Sequence, residues 1–408
     1  MIKKYMNLPK PLYALFAGIF LMNLGNYIWA LFALMKESHY GLKGTETAFV
    51  LGIVLVLNSL GSVIGGGLVD KYNKVRIFTF SLVLSGVFYF AAGFLDGYSV
   101  LGAIFIGSFF AAIGTQAVKP LMIDYCETEE ERRLSFSLRY ICLNAGYTIG
   151  PLIGGILLDK GLVKFLFIGD GLTTALYGFV VFLFIKDLRE KNNEVILHKN
   201  ETEYHGSIIG ALINRPVIII ILLATFFNII TFRYLSFGLP SYIQSLYDNA
   251  GLLYGILSAI NGLVAALFTP IVLSITRKLS SGVNLLVGFL IYSGGVMLTL
   301  MIEKYYLLIV CMFVFTIGEI LLTINSQVFS SEHTPVNFRG RFNSLTTVTF
   351  QLGSFTSVYI MSYLFSLGSY KLGIFLIGLA PLVSFMLISG VLISDKVKNK
   401  KQLDEIKM

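Results

Sequence analysis

Charged residues are scarce in this chain: Asp, Glu, Lys and Arg make up 13% of its 408 residues, whereas apolar residues make up 56%. An ordinary soluble domain has a charged fraction of about 25%. The three cysteines, Cys126, Cys142 and Cys311, are too far apart in sequence to indicate a disulfide framework or a zinc site. The composition therefore argues against a soluble domain and favours a protein embedded in a lipid bilayer.

Several functional signatures are also missing. The sequence has no Gly-x-x-x-x-Gly-Lys-Ser/Thr loop, so ATP is not expected to drive an activity directly. It has no Ser/His/Asp set, paired carboxylates or metal-ligand cluster in its apolar stretches, and no basic patch interleaved with aromatic residues. We therefore predict neither an enzyme nor a nucleic-acid-binding protein, and we expect no cofactor and no bound metal.

What the chain does contain is a series of apolar runs of about 20 residues, the length a helix needs to cross about 30 Å of hydrocarbon. The runs are continuously apolar, whereas strands of a membrane barrel would alternate, so they predict helices and an all-α membrane protein. We number these twelve runs span 1 to span 12; they lie near residues 12–35, 46–69, 77–96, 99–123, 136–158, 164–186, 215–245, 251–275, 284–302, 306–330, 341–366 and 371–394.

The basic residues predict the orientation of the spans. With the N-terminus in the cytoplasm, most of the 31 Lys and Arg residues fall on the cytoplasmic side. Cytoplasmic loops of membrane proteins carry such an excess. We therefore expect both termini in the cytoplasm and a multi-pass protein of a bacterial cell membrane. The net charge of +8 then reflects topology and attraction to anionic lipids.

One internal connection is long and polar, and it predicts the domain organisation. Residues 1–186 would form an N-terminal six-helix bundle, 187–214 a cytoplasmic linker, and 215–408 a C-terminal six-helix bundle with a short tail. An acid and an arginine recur at the same spacing in both halves, as Asp124 with Arg133 and Glu332 with Arg341. Two pseudo-symmetric bundles are the arrangement expected of a transporter with a site between them.

The loop between spans 2 and 3 reads Gly66-Gly-Leu-Val-Asp70-Lys71-Tyr-Asn-Lys74-Val-Arg76. It resembles the signature loop of the major facilitator superfamily, with Asn73 and Val75 as departures. Gly66 would allow a close helix approach, and Asp70 could pair with cations or cap a helix. The resemblance implies a cytoplasmic gate formed by Gly66, Asp70, Lys71, Arg76 and Asp124. The alternative is a solvated loop whose charges only set topology.

Span 5 contains Gly146-Tyr-Thr-Ile-Gly150-Pro151-Leu-Ile-Gly154-Gly155. This segment resembles the span 5 motif of the drug/proton antiporters of the same superfamily, and that resemblance favours export. Glycines at four-residue spacing give a smooth face for close packing, and Pro151 removes a backbone donor. The alternative is a packing face with no bearing on the direction of transport.

Two charged residues lie well inside apolar runs of the C-terminal half. Glu319 lies near the middle of span 10, and an intramembrane acid is a functional site by default. We predict that it binds a proton or a cationic ligand. Arg233 in span 7 is its candidate partner, because spans 1, 4, 7 and 10 line the cavity in the family that the sequence resembles. A purely structural salt bridge is the alternative.

The remaining cavity candidates lie in the N-terminal half. Asn23 and Asn26 share a helical face in span 1, with Trp29 close by, and could form a substrate wall. Equally, the asparagines could bond to neighbouring helices while Trp29 anchors the interface. Arg139 lies shortly after the start of span 5, where it could line the cavity or extend to the cytoplasmic surface.

The leading hypothesis is a proton-driven, monomeric exporter of amphipathic, drug-like compounds that acts by alternating access. Its partners would be a small-molecule substrate, protons and membrane lipids, and a proton gradient would replace a cofactor. One alternative is an exporter of an anionic or zwitterionic amphiphile, such as a lipid, peptide or metal chelator, suggested by Arg233 and Arg139. A membrane sensor that transports nothing is a further alternative.

Overall fold

The structure is a computed structural model that describes residues 8–35, 39–42, 45–186, 208–301, 304–334 and 339–407. Throughout these ranges the chain is almost entirely helical and contains no strand. The all-α fold predicted from the apolar runs is confirmed.

The first six spans are helices separated by short connections. Span 1 consists of two helices, Lys10–Leu24 and Tyr27–Met35. Spans 2 and 3 are Glu46–Lys71 and Lys74–Ala92, and span 4 is Tyr98–Thr115 followed by Val118–Asp124. Spans 5 and 6 are Glu129–Asp159 and Val163–Phe184.

The second six spans follow after a short helix, Ile208–Asn214. Span 7 is Pro216–Arg233, a π-helical turn at Tyr234–Gly238, and Leu239–Gln244; span 8 is Ala250–Thr276. Span 9 is Ser281–Leu298 with a 3-10 turn at Thr299–Met301, and span 10 is Tyr305–His333. Spans 11 and 12 lie within Arg339–Ser366 and Tyr370–Lys407.

Eleven of these segments, within the described ranges, are long and apolar enough to cross a membrane. The predicted span 11 forms a helix but is not among the eleven. Its many Ser, Thr and Gln side chains lower its hydropathy. A polar helix of this kind is tolerated in a membrane where neighbouring helices satisfy its side chains. Ser357 is satisfied in this way, because its hydroxyl donates to the carbonyl of Ile230 on span 7 at 2.5 Å.

The spans pack into two compact units, each with the same pairing pattern. The first unit holds the described residues through 186 together with 239–266, and the second holds 208–238 and the residues from 267 onward. In the first unit, span 3 packs on spans 4 and 6, and span 1 on spans 5 and 6. In the second, span 9 packs on spans 10 and 12, and span 7 on spans 11 and 12. The repeated packing shows that the two sets of six spans share one architecture.

The units do not coincide with the two halves predicted from the sequence. Residues 239–266, at the end of span 7 and the start of span 8, pack with the first unit rather than with their own half. Gln244 is one link, because its side chain donates to the carbonyl of Leu34 at 3.0 Å. Residues 187–207 of the predicted linker lie outside the described residues, so the linker remains a prediction.

Local sequence explains where several helices begin. Thr128 and Glu131 form a capping box at the start of span 5, with the Thr128 hydroxyl accepting from the Glu131 N–H at 3.1 Å. Ser280 caps span 9 by accepting from the N–H of Val283. Proline stands at the first turn of spans 1 and 7, where its missing N–H costs nothing.

Candidate functional site

Span 1 is interrupted between Leu24 and Tyr27, part-way along its length. Gly25 is buried at the break, and a side chain there would overlap the side chain of Thr173 on span 6. Glycine is therefore required at this position by close packing. The interruption leaves backbone N–H groups at the start of the helix Tyr27–Met35 without partners in their own helix.

A buried carboxylate on span 6 binds one of these N–H groups. Asp170 is only 3% exposed, and its Oδ2 accepts from the N–H of Ile28 at 3.2 Å. The N–H of Tyr27 donates instead to the carbonyl of Gly25 at 2.8 Å. The hydroxyl of Thr174 lies 3.5 Å from Oδ1. A negative group at a helix start is stabilised by the exposed N–H groups and the helix dipole.

Beside this carboxylate lies a cavity of about 280 Å³ lined by residues of spans 1, 2, 3, 4 and 6. Most of these residues have polar side chains, and they include Asn26, Asn58, Tyr89, Ser108, Asp170 and Thr174. Polar residues in a membrane interior normally face such cavities. Sequence reasoning missed Asp170, although a single acid within an apolar run is the same signal that selected Glu319.

The predicted residues of span 1 are divided between this cavity and the helix itself. Asn26 and Trp29 line the cavity, whereas Asn23 donates to the carbonyl of Ile19 within its own helix at 2.7 Å. Asn26 donates to the hydroxyl of Tyr147 on span 5 at 3.2 Å. The indole N–H of Trp29 donates to the Tyr89 hydroxyl at 3.4 Å. The structure thus places Trp29 inside the bundle rather than in an outer aromatic belt.

The two charged candidates of the second unit lie on spans 7 and 10. The Arg233 guanidinium lies over the ring of Phe350, 5.4 Å from the ring centroid, and the side chain is half-buried. Glu319 is also half-buried, and its charge acts on the buried Tyr292 of span 9. Whether Glu319 and Arg233 pair remains a prediction.

Arg139 of span 5 is half-buried, and its charge acts on Tyr177 of span 6. Its Nε is fully buried and has no hydrogen-bond partner in the described part of the chain. The two interpretations of Arg139, as a cavity residue or as one that extends to the cytoplasmic surface, both remain predictions.

The glycine face of span 5 packs directly on span 1. A Cβ at Gly146 would lie 2.7 Å from the Cβ of Asn23, and one at Gly150 would lie 2.7 Å from the carbonyl oxygen of Leu24. Gly154 packs on Tyr27 and Leu31, with their side-chain carbons 2.8 Å from a Cβ at that position. These glycines let span 5 approach the break in span 1 more closely than any larger residue would.

The neighbouring residue, Gly155, faces span 8. A Cβ there would overlap the backbone carbonyl of Gly251. Asp159, the last residue of span 5, caps span 8: its carboxylate accepts from the N–H of Gly251 at 2.9 Å and from that of Leu252 at 2.7 Å. Further along, a Cβ at Gly255 would lie 2.8 Å from the carbonyl oxygen of Pro151. Span 5 is thus held between spans 1 and 8.

The signature loop differs from the prediction in which glycine packs closely. A Cβ at Gly66 would meet no described heavy atom within 4 Å. The close approach of span 2 to span 4 occurs instead at Gly61 and Gly65, where a Cβ would lie 2.7 Å from the Phe109 carbonyl oxygen and 2.6 Å from that of Ile113. The reason is helical geometry, because Gly61 and Gly65 share a face that Gly66 does not.

One acid of the predicted gate has a basic partner from the signature loop. Asp124 pairs with Lys74, with 2.5 Å between its Oδ2 and the Lys74 Nζ. Arg76 and Lys71 have exposed side chains. Asn73, the departure from the family pattern, caps span 3 by accepting from the Arg76 N–H at 2.9 Å. The side chain of Asp70 lies outside the described residues.

Eleven apolar helices among the described residues, two units with the same helix pairing, and a buried carboxylate beside polar cavity groups define a membrane transporter rather than an enzyme. The profile of the Major Facilitator Superfamily matches residues 14–358, and the chain belongs to that family. It is therefore a multi-pass transporter of the major facilitator superfamily.

Two relatives share most of their length with this chain. The Na(+), Li(+), K(+)/H(+) antiporter of Planococcus maritimus is 23% identical and covers 82% of this chain and 85% of its own. The quinolone resistance protein NorA of Staphylococcus aureus (strain MRSA252) is 25% identical and covers 87% of this chain and 90% of its own.

The fold is also that of solved transporters. The crystal structure of the POT family transporter PepTSo covers 96% of this chain and 99% of its own, with a TM-score of 0.76 at 14% sequence identity. At this identity the likeness establishes the fold alone.

Proposed function

We propose that the protein is a proton-coupled exporter of amphipathic, drug-like compounds, monomeric in a bacterial cell membrane with both termini in the cytoplasm. The observation that carries this proposal is the glycine face of span 5, which packs without intervening side chains on span 1 at Gly150 and on span 8 at Gly155. The motif that forms this face resembles that of drug/proton antiporters.

The physical support is that such a contact can both seal and reopen. Backbones in direct contact at Gly155 and Gly251 leave no space for water or solute between the helices. Asp159 joins the same two spans through hydrogen bonds on an exposed surface, where water can replace them. A seal of this kind opens at modest cost, as alternating access requires.

The relatives support antiport as the mode of coupling. One is an antiporter of monovalent cations and protons, and the other is a quinolone resistance protein. In this chain Glu319 is the acid proposed to bind the coupling proton, and Asn26 and Trp29 are proposed to contact substrate. Asp124 and Lys74 would act at the gate on the side of the signature loop.

Dye efflux from proteoliposomes under an imposed pH gradient tests the proposal. Wild-type protein is expected to move a lipophilic cationic dye against its gradient, and Glu319→Gln is expected to lose this driven movement. Asp248→Asn is the matched control, because Asp248 is an exposed acid in the connection between spans 7 and 8. Equal efflux with and without the pH gradient, in wild type and Glu319→Gln alike, would rule out proton coupling.

A second candidate is export of an anionic or zwitterionic amphiphile, favoured by the half-buried Arg233 over Phe350. Thermal unfolding in the presence of matched cationic and anionic amphiphiles separates the two candidates, because a ligand that binds only the folded state stabilises it. Stabilisation by the cationic series supports the first candidate, and stabilisation by the anionic series alone supports the second.

A further inference from the structure

We propose that Asp170 is a second proton-binding residue of this transporter. When its carboxylate binds a proton, the hydrogen bonding between Asp170 and the backbone at the break in span 1 weakens. This inference rests on the proposed proton-coupled transport. It places one proton-binding residue, Asp170, in the first unit, in addition to Glu319 in the second unit. It identifies a site that neither the sequence motifs nor the relatives assign.

The first support is the way Asp170 is held. Its carboxylate is 3% exposed and has no Lys or Arg partner among the described side chains. A buried charge without a counter-ion is costly unless hydrogen bonds compensate it. The N–H of Ile28 and the hydroxyl of Thr174 supply those bonds, and the first is available only because span 1 is interrupted there. The carboxylate and the break therefore depend on each other.

The second support is access. The polar cavity beside Asp170 has about 280 Å³ and is lined by hydroxyl and amide groups such as those of Asn26, Ser62 and Thr115. A water molecule needs about 30 Å³ of liquid volume and two to four polar partners, and both are present here. Protons can thus reach Asp170 through water in a region otherwise surrounded by apolar residues.

The third support comes from the titratable groups that surround Asp170, which are Tyr27 of span 1, Tyr89 of span 3 and Tyr40 of the connection after span 1. Burial raises the pKa of Tyr40, and the charge on Asp170 raises it further. Burial lowers the pKa of His39, the residue before Tyr40, and the charge of Asp96 opposes this with a smaller effect. Burial thus favours the neutral form of both His39 and Tyr40.

The proposed step is a simple proton transfer. The ionised carboxylate takes one proton from a hydronium ion in the cavity water and becomes a neutral carboxylic acid. One O–H bond of the hydronium ion breaks as the new O–H bond forms, and a water molecule is left. A neutral group is a weaker acceptor, so the charge-assisted bond from the Ile28 N–H weakens. The start of the second helix of span 1 is then released, together with Asn26 and Trp29 beside it. Loss of the proton restores the bond, so the charge on Asp170 controls the shape of the cavity.

The chain contains a built-in reporter for this event. Trp29 is its only tryptophan, it follows Ile28 directly, and it lines the same cavity as Asp170. A pH titration of tryptophan emission in purified, lipid-reconstituted protein therefore reads this site alone and needs no substrate. Wild type is expected to show a single one-proton transition, and Asp170→Asn is expected to keep the acid-form spectrum at every pH.

Three further variants make the titration decisive. Asp170→Glu is expected to keep the transition at a displaced midpoint, which shows that the site tolerates substitution. Glu319→Gln and His39→Gln are expected to keep the wild-type transition, because neither side chain is the proposed carrier. Absence of a transition in wild type, its persistence in Asp170→Asn, or its loss in His39→Gln or Glu319→Gln would overturn the proposal. Failure of dye efflux would count against the proposed function only, because the titration does not depend on transport.

Discussion

Span 5 and the signature loop both contain a glycine motif that resembles one of the same family, yet the two motifs use their glycines differently. In span 5, Gly150 and Gly155 lie against the backbone of a neighbouring helix. In the loop motif, Gly66 faces open space, and the close packing of span 2 occurs at Gly61 and Gly65 outside the motif. The atoms around a glycine, rather than its place in a motif, therefore determine what a substitution costs.

The largest effect is expected where two backbones meet. Gly155→Ala places a methyl group on the carbonyl of Gly251, and relief requires spans 5 and 8 to separate. We expect the free energy of unfolding to fall by about 1–3 kcal/mol, the usual cost of overpacking. Thermal and denaturant unfolding in detergent measure this change.

The control for this substitution is Gly102→Ala in span 4, because a Cβ at Gly102 meets no described atom within 4 Å. In a helix interior, alanine is more favourable than glycine by roughly 0.8–1.0 kcal/mol. The control should therefore be neutral or stabilising. If both variants are equally stable, the backbone contact between spans 5 and 8 contributes nothing to stability.

A moderate effect is expected for the ion pair at the signature loop. Lys74 and Asp124 have side chains only 15% and 12% exposed, so water screens the pair weakly. In a double-mutant cycle of Lys74→Gln with Asp124→Asn, we expect a favourable coupling of about 0.5–3 kcal/mol, as measured for residues in contact. The readout is again the free energy of unfolding.

The matched cycle replaces Lys74→Gln by Arg76→Gln, on the same helix and equally basic. Arg76 has an exposed side chain, and Asp124 pairs with Lys74 instead. Coupling of Asp124 with Arg76 should therefore be close to zero. A larger coupling with Arg76 than with Lys74 would contradict the observed pairing.

The overall fold was predictable because a membrane admits few solutions. Backbone groups in hydrocarbon must bond within their own segment, so long apolar runs have to be helices, and their number and length follow from the sequence. Span 11 is the exception among the twelve, because polar residues such as Gln351 weaken the signal that identifies the others.

The site was only partly predictable. Asp170 could have been identified, because it is a single acid in an apolar run just as Glu319 is. The break that gives Asp170 its backbone partner could not, because the sequence around Gly25 and Asn26 is compatible with an unbroken helix and only the position of Thr173 requires the glycine. The pairing of Asp124 with Lys74 could not be predicted either, because Lys71, Lys74 and Arg76 are all basic and their spacing does not show which of them contacts the acid.

The smallest effect is expected for Gly66→Ala, which tests the comparison between the two motifs most directly. Because a Cβ at Gly66 meets open space, the change should raise the free energy of unfolding by about 1 kcal/mol or less, the helix-propensity gain alone. Dye efflux should continue at the wild-type rate if open space surrounds Gly66 throughout the transport cycle. If efflux falls although the free energy of unfolding does not, the added methyl group must overlap a neighbouring atom in another conformation of the transport cycle. Gly66 would then pack closely only when the signature loop rearranges, and the contrast with Gly155 would be one of conformation rather than of position.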